Sequence, residues 1–383
     1  MGKVKLGVIG CGLASDILYG PAFEYMEKGE LAAVMDLNAE RAKVLQERHG
    51  VERVYTGLEG IINDKNVDAV MVLTPPPHHL APVIAAARAG KHIFCEKPMA
   101  PTLEGADEML SACDAGGVKL MTVFMKRFNW SFQRVKELIE EGRLGEIFEV
   151  RARWDNVKVR GPSGEEFRMT TESGGGMIQE DGSHPFDVCR WWLGDVSEVT
   201  AHAMIAAPEH HPTEDVGCVV LKHKSGAMST LHVTGLTHAT GEESYEIFGT
   251  RGTLVMRWLS HSTSTLEPAL MTLYENSRTA TDLTLDAPWH PGQRIREDWQ
   301  YLRALEHFCE CIIDDKEPQP SGVEGRAVVE IVNAAYLSVM RGATVKLPLK
   351  ASPNKKALFT ELHRSSPWSL QGRMWDSRYS RRR

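Results

Sequence analysis

Val4-Lys5-Leu6-Gly7-Val8-Ile9-Gly10-Cys11-Gly12-Leu13-Ala14-Ser15 is the stretch on which the reading of the fold turns. A short apolar run, Val4 to Ile9, stops on glycine, and the residues after it open a helix. The spacing is that of a GxGxxG-like dinucleotide turn with a small residue, Ser15, at the third position. Gly10 permits the tight turn, and Gly12 lets the backbone approach a pyrophosphate, whose charge then sits on the helix N-terminus. Leu13 and Ala14, at the helix start, are assigned to the same cofactor contact. A second apolar run, Leu31 to Met35, ends on Asp36, where a carboxylate can accept hydrogen bonds from adenosine ribose hydroxyls. Asp36 would repel a 2′-phosphate and is followed by Leu37 rather than arginine, so NAD is favoured over NADP.

Moving outward, strand and helix signals alternate through about residue 126. Asn38 caps a helix running toward Gly50. Val67 to Leu73 is nearly all apolar, as expected of a strand buried on both faces. It runs into Thr74-Pro75-Pro76-Pro77-His78-His79, a loop that cannot continue the sheet and lies at the edge where open parallel sheets bind ligands. Pro82 to Ala89 reads as a helix, His92 to Cys95 as the fourth strand and Val118 to Phe124 as the fifth, with a Thr102-capped helix between the last two. Strands separated by helices of this length predict a parallel sheet with right-handed crossovers.

Beyond residue 126 the rhythm changes. A helix over Ser131 to Glu141 ends at Gly142, and strands with turns between them follow: Ile147 to Trp154, Val199 to Met204, Val216 to Lys222, Ala227 to Val233, Ser244 to Phe248 and Thr253 to Trp258. Helices are expected over Pro185 to Leu193, Asp298 to Ile313 and Gly322 to Arg341, the last with a Ser321/Glu324 capping box. The fold class is α/β: an N-terminal Rossmann domain (1–126), then an α/β domain with a large, open, mostly antiparallel sheet (127–350), then a basic tail (351–383). That tail carries Arg364, Arg373, Arg378 and Arg381 to Arg383 with Trp368 and Trp375, and reads either as a partly disordered end or as an arm packing on a neighbouring subunit. A sheet with helices on one face leaves the other to be covered, so a homodimer or homotetramer is expected.

Composition narrows the function. A net charge of −7 argues against nucleic acid as the main partner, and no apolar run reaches the length of a membrane span. Seven scattered cysteines, none in a CxxC pair, point to free thiols in a reducing, cytoplasmic setting. Cys309 and Cys311 are too close together for a zinc site and lack a second ligand pair, and no metal is expected.

Cys95-Glu96-Lys97-Pro98, following a Gly-Lys-His turn at residues 90 to 92, makes the reading specific. The chain resembles the glucose-fructose oxidoreductase / inositol dehydrogenase / rhizopine catabolism (Gfo/Idh/MocA) family over about residues 4 to 350. The parts occur in order: Gly10-Cys11-Gly12, Asp36, Thr74-Pro75, Glu96-Lys97-Pro98, Gly174-Gly175-Gly176 and His184. The resemblance implies an oxidoreductase acting on CH–OH groups, with NAD held by Gly10, Gly12, Leu13, Ala14, Asp36, Thr74, Pro75, His79, Glu96 and Lys97. It implies a sugar or polyol substrate, and assigns Lys97, His184 and Glu180 to catalysis. The family usually has Asp four residues before the histidine; this chain has Glu180 there, with Asp181 beside it. On a helix, positions 180, 184 and 187 share a face and 181 is turned about 100° away, so Glu180 is favoured and Asp181 is the alternative.

The expected chemistry is hydride transfer between nicotinamide and a carbinol of a sugar, glycoside or cyclitol. His184 takes the hydroxyl proton and Lys97 stabilises the charge developing on that oxygen, while Glu180 orients His184 or holds a second hydroxyl. Arg127, Asn129, Trp154, Arg168, Asp181 and Asp187 are candidates for substrate binding, with Trp154 offering an aromatic face to a sugar ring. Two rival activities are kept: an NAD-dependent glycosidase acting by transient oxidation and elimination, and a keto-sugar-nucleotide reductase.

Overall fold

The computed structural model describes residues 2–156, 169–208, 211–237, 241–258, 269–276, 278–284 and 299–367. Two compact units emerge, the first of Met1–Asn129 with Pro291–Val329 and the second of Trp130–His290 with Glu330–Arg383.

In the first unit, strands β1 (Val4–Ile9), β2 (Gly29–Met35), β3 (Arg53–Tyr55), β4 (Ala69–Val72), β5 (His92–Glu96) and β6 (Leu120–Val123) form one parallel sheet in the order β3-β2-β1-β4-β5-β6. This is the Rossmann order, and the reversal between β1 and β4 is where its ligand crevice lies. Every residue of β4 is buried, which explains its unbroken apolar run. Helices α1 (Gly20–Phe23), α2 (Ala39–His49), α3 (Leu58–Asn63), α4 (Leu80–Arg88) and α5 (Leu103–Gly116) connect the strands. Asn38 and Thr102 cap α2 and α5 through backbone N–H groups of the first turn, and Gly50 and Gly117 close them at positive φ.

Three features depart from the sequence reading, the first being helix α3, six residues between β3 and β4. The sheet has a sixth strand, β3, whose three residues are too few to show a pattern; its Tyr55 carbonyl accepts the Asp36 N–H and so fixes the end of β2. The helix after Gly12 begins as a wide π-type turn, Ala14–Tyr19, before α1. Pro21 has no N–H to give the carbonyl four residues back, which disfavours an ordinary α turn there.

In the second unit, α6 (Trp130–Glu140) leads into β7 (Ile147–Asp155), and α7 (Met177–Glu180) and α8 (Ser183–Leu193) precede β8 (Val196–Met204). Then come β9 (Val216–His223), β10 (Met228–Thr234), β11 (Glu242–Gly249), β12 (Thr253–Trp258), β13 (Leu270–Asn276) and β14 (Thr279–Asp282). Helices α9 (Gln300–Ile313) and α10 (Gly322–Arg341), strand β15 (Val345–Lys346) and α11 (Lys355–Ser365) complete the described elements. The nine-stranded sheet runs β14-β13-β12-β11-β7-β10-β9-β8-β15. It is antiparallel except where β7 meets β10. Its inner face is apolar, with Phe132 of α6 and Trp192 of α8 stacked on one another. Among the described residues its outer face exposes Met204, Val220, Met228, Leu270 and Tyr274.

α9 packs against β1 and β2, and Tyr301, Leu305 and Phe308 join the first unit's core. The capping box of α10 forms, with both the N–H and the hydroxyl of Ser321 reaching Glu324 Oε2, at 2.6 and 2.9 Å. Part of the expected tail is ordered: α11 is capped by Asn354 and lays Phe359 edge-on against Tyr336. Trp368, Arg373, Trp375, Arg378 and Arg381 to Arg383 lie outside the described residues. Among the described residues no helix is long and apolar enough to cross a membrane.

Candidate active site

The cofactor half is built at the carboxyl edge of the first sheet. Gly10 has φ +99°, and a Cβ there would lie 3.0 Å from the Leu73 and Thr74 backbone, so only glycine fits. Gly12 is different: a Cβ on it would meet no heavy atom within 4 Å, and the backbone opens on space. Beside this turn Asp36 Oδ2 accepts the Cys11 N–H and Oδ1 accepts the Asn38 N–H, each at 2.8 Å. Each oxygen keeps a further lone pair for a hydroxyl. An open glycine, a helix start and a fixed carboxylate acceptor fit a dinucleotide. Burial, reinforced by the Asp36 charge, pushes the Cys11 thiol up to about 12, which leaves it neutral and unreactive.

The loops after β4 and β5 are tied together by His79. Its ring is fully buried, with Nδ1 3.1 Å from the Pro98 carbonyl and Nε2 2.5 Å from the Thr74 carbonyl. Burial lowers its pKa to about 4, outweighing the carbonyls that would welcome a second N–H. A neutral imidazole carries one N–H, so His79 donates to one of these carbonyls and only packs against the other, lying between the Thr74 loop and the segment that carries Lys97. Glu96 is aimed by two donors: the Tyr19 hydroxyl reaches Oε1 at 2.5 Å and the Lys97 N–H reaches Oε2 at 2.9 Å. Arg127 is buried and pairs with Glu324 at 3.5 Å, and Asn129 follows the short turn Met125–Phe128.

The second unit carries His184, Glu180, Asp181 and Asp187, all buried. α7 and α8 run almost end to end, because the Gly182 N–H still bonds the Met177 carbonyl at 2.9 Å and the His184 N–H bonds the Asp181 carbonyl at 3.2 Å. The Asp181 carboxylate accepts from Asn156 Nδ2 at 3.2 Å. Trp154 is buried, and its ring lies flat against His184 rather than open to a sugar. Arg168 lies outside the described residues.

The turn that launches these residues is held by side chains that sequence reasoning missed. Glu214 accepts from the Gly176 N–H and the Ile178 N–H, both at 2.9 Å, and from the Tyr336 hydroxyl at 2.8 Å. Burial nevertheless pushes the Glu214 carboxyl up to about 7. Lys355 of α11 reaches Gln179 Oε1 at 3.2 Å, and Gln179 in turn donates to the Ser173 carbonyl. No local motif announces these partners, which lie 36 to 176 residues away in the chain.

Comparison with known proteins agrees with this division. Residues 4–124 match an oxidoreductase family described as an NAD-binding Rossmann fold, and residues 132–255 match the GFO/IDH/MocA C-terminal domain. The chain is 28% identical to a myo-inositol 2-dehydrogenase from Thermotoga maritima over 90% of its own length and 98% of the relative's. It is 30% identical to a 1,5-anhydro-D-fructose reductase from Ensifer adhaerens over 78% of its own length and 85% of the relative's. Among solved structures it is similar to the WlbA dehydrogenase from Bordetella pertussis, determined with NADH and UDP-GlcNAcA (TM-score 0.77, 28% identity, 91% of this chain and 100% of that one). The chain belongs to the Gfo/Idh/MocA family of oxidoreductases, and its N-terminal domain is the family's NAD-binding Rossmann domain.

Proposed function

We propose that this protein is an NAD-dependent dehydrogenase acting on a carbinol of a sugar, glycoside or cyclitol. The observation that carries the reading is the carboxyl edge described above: the open Gly12 turn with Asp36 on the Cys11 N–H, and Glu96 held by the Tyr19 hydroxyl and the Lys97 N–H. The relatives' substrates, a cyclitol and an anhydro-sugar by name, share the polyol chemistry that this proposal assigns.

When bound, NAD accepts or supplies the hydride. The Gly10–Gly12 turn, Leu13 and Ala14 would hold its pyrophosphate, Asp36 its adenosine ribose, and Thr74, Pro75, Glu96 and Lys97 the nicotinamide end. Lys97 donates a hydrogen bond to the reacting oxygen and stabilises its charge. His184 takes or returns the hydroxyl proton. Glu180 is the acidic partner of His184, while Asn156 holds Asp181 in place for a substrate hydroxyl. Asp187, Arg127, Asn129 and Arg168 complete the proposed substrate set.

We assign a second copy of the chain to the outer face of the nine-stranded sheet. Arg151, Arg153 and Arg257 alternate there with Glu149, Glu242 and Glu246, while Met204, Val220, Met228, Leu270 and Tyr274 expose apolar surface. A face with both charges interleaved can complement itself across a two-fold axis. Sedimentation at a multiple of 42.6 kDa supports this, and a monomer refutes it. Seven free thiols support a reducing, cytoplasmic setting.

The test is a panel of inositols, aldoses, anhydro-sugars, glycosides and UDP-sugars offered with NAD. Net NADH with a polyol or sugar supports the reading. Release of aglycone without net NADH would replace it with transient-oxidation glycosidase activity, and turnover confined to nucleotide sugars would narrow it to that class.

A further inference from the structure

We propose that Trp154 is a positioning residue for His184, holding the imidazole in one plane by stacking beneath it. The inference rests on the assignment of His184 as proton carrier. The two rings are 5.4 Å apart between centroids and only 7° from parallel. Trp154 is 2% exposed and His184 4%, so the contact is enclosed by protein rather than by solvent.

Both partners are anchored by backbone. Trp154 is the penultimate residue of β7, an inner strand, opposite Val233 of β10 and Glu243 of β11. Its main chain cannot shift without disturbing two ladders. His184 is the second residue of α8, with its N–H on the Asp181 carbonyl. What remains adjustable is rotation about χ1, among staggered wells, and χ2, a broad and soft torsion. A flat indole removes that freedom.

The size of the effect separates two roles. The offset stack itself contributes little beside the burial of the indole, most of which Trp154→Phe retains. Misplacing a reacting group by about 1 Å costs up to about 100-fold in rate. Loss of the stack, as distinct from loss of indole burial, therefore registers mainly in turnover. The same strand end also supplies Asn156 to Asp181, so the terminus of β7 braces two neighbouring members of the site. Trp154 acts through His184 and needs no contact with substrate.

The experiment uses the full chain with isotope-labelled histidine, the His184 ring resonances being identified by their loss in His184→Gln. The indole ring current should place them upfield. Trp154→Leu should move them to the position of unstacked histidines, and Trp154→Phe should retain part of the shift. With the panel alcohol that wild type oxidises fastest, Trp154→Leu should lower kcat about 10- to 100-fold, leaving KM and NAD affinity within about two-fold, and Trp154→Phe should restore most of the rate. If the Leu variant does not fold, His184→Gln must change Trp emission in the wild-type background and leave it unchanged in Trp154→Phe. Unmoved resonances in Trp154→Leu, or unmoved emission in His184→Gln, overturn the stack. Shifted resonances with normal turnover in Trp154→Leu overturn the positioning role. Normal turnover in His184→Gln overturns the catalytic reading beneath it while leaving the stack intact.

Discussion

The two glycine turns, Gly10–Gly12 and Gly174–Gly176, look alike in sequence and differ in what surrounds them. At Gly12 the missing side chain leaves open space, and the nearby carboxylate of Asp36 touches the turn only through the Cys11 N–H. At Gly174, Gly175 and Gly176 the missing side chains are replaced by protein: a Cβ would run into Gln179, the Tyr336 hydroxyl and the Glu214 backbone respectively. The first turn is packed at Gly10 and open at Gly12, whereas the second is filled by the chain at all three glycines. Glycine richness alone does not distinguish a binding turn from a packed one; what fills the vacated volume does.

The sharpest way to break this contrast is Gly175→Ala. The added methyl collides with Tyr336, which is fully buried and bonded to Glu214, and the residue also sits at φ +150°. The second unit should lose about 4 kcal/mol or more, read as a fall in its unfolding temperature. An unchanged melting curve would mean the turn is not filled as described.

Next in size is a pH effect of opposite sign in the two halves. His79 titrates at about 4 when folded against 6.5 as the ordinary value, so on acidification the unfolded chain takes up the proton first. The stability it supports should therefore decline as pH falls from 6.5 to 4. Glu214 titrates at about 7 when folded against 4.5, so the unfolded chain ionises first and stability should decline as pH rises from 4.5 to 7. Each slope integrates to about 3 kcal/mol, from roughly 1.4 kcal/mol per pKa unit. Hydrogen exchange at Met99 and at Ile178 should show the two trends separately, and His79→Gln and Glu214→Gln should each abolish its own.

Smaller still, Gly12→Ala should leave stability within about 0.5 kcal/mol, since the methyl meets no protein atom, yet weaken NAD binding about 10- to 100-fold. Calorimetric titration with NAD checks it; unchanged affinity would remove Gly12 from the cofactor path. Least of all, Asp36→Ser should lower the preference for NAD over NADP by roughly ten-fold, about 1.4 kcal/mol, measured as the ratio of kcat/KM values.

The same contrast explains what could be read from the chain. Strand β4 announces itself because burial on both faces demands an unbroken apolar run, and the Gly10 turn because its geometry is local. Asn38, Thr102 and the Ser321/Glu324 box declare helix starts for the same reason: cap and capped groups lie within three residues. β3 and β15 were beyond reach because three and two residues carry no periodicity. The side chains around Gly174–Gly176 were hidden for a different cause. Glu214, Tyr336 and Lys355 are polar residues satisfied by partners far along the chain, and in sequence they look like ordinary exposed positions. Trp154 was legible as an aromatic at a strand end, but its partner was not: only the fold shows that its face is taken by His184.

The central claim is that Lys97 and His184 serve one carbinol oxidation with NAD. Its most direct test is turnover of the best panel alcohol by Lys97→Met and by His184→Ala, with NAD affinity measured alongside. The account predicts a loss of about 1,000-fold or more in kcat for each, with NAD still bound. Near-normal turnover in either variant would contradict it.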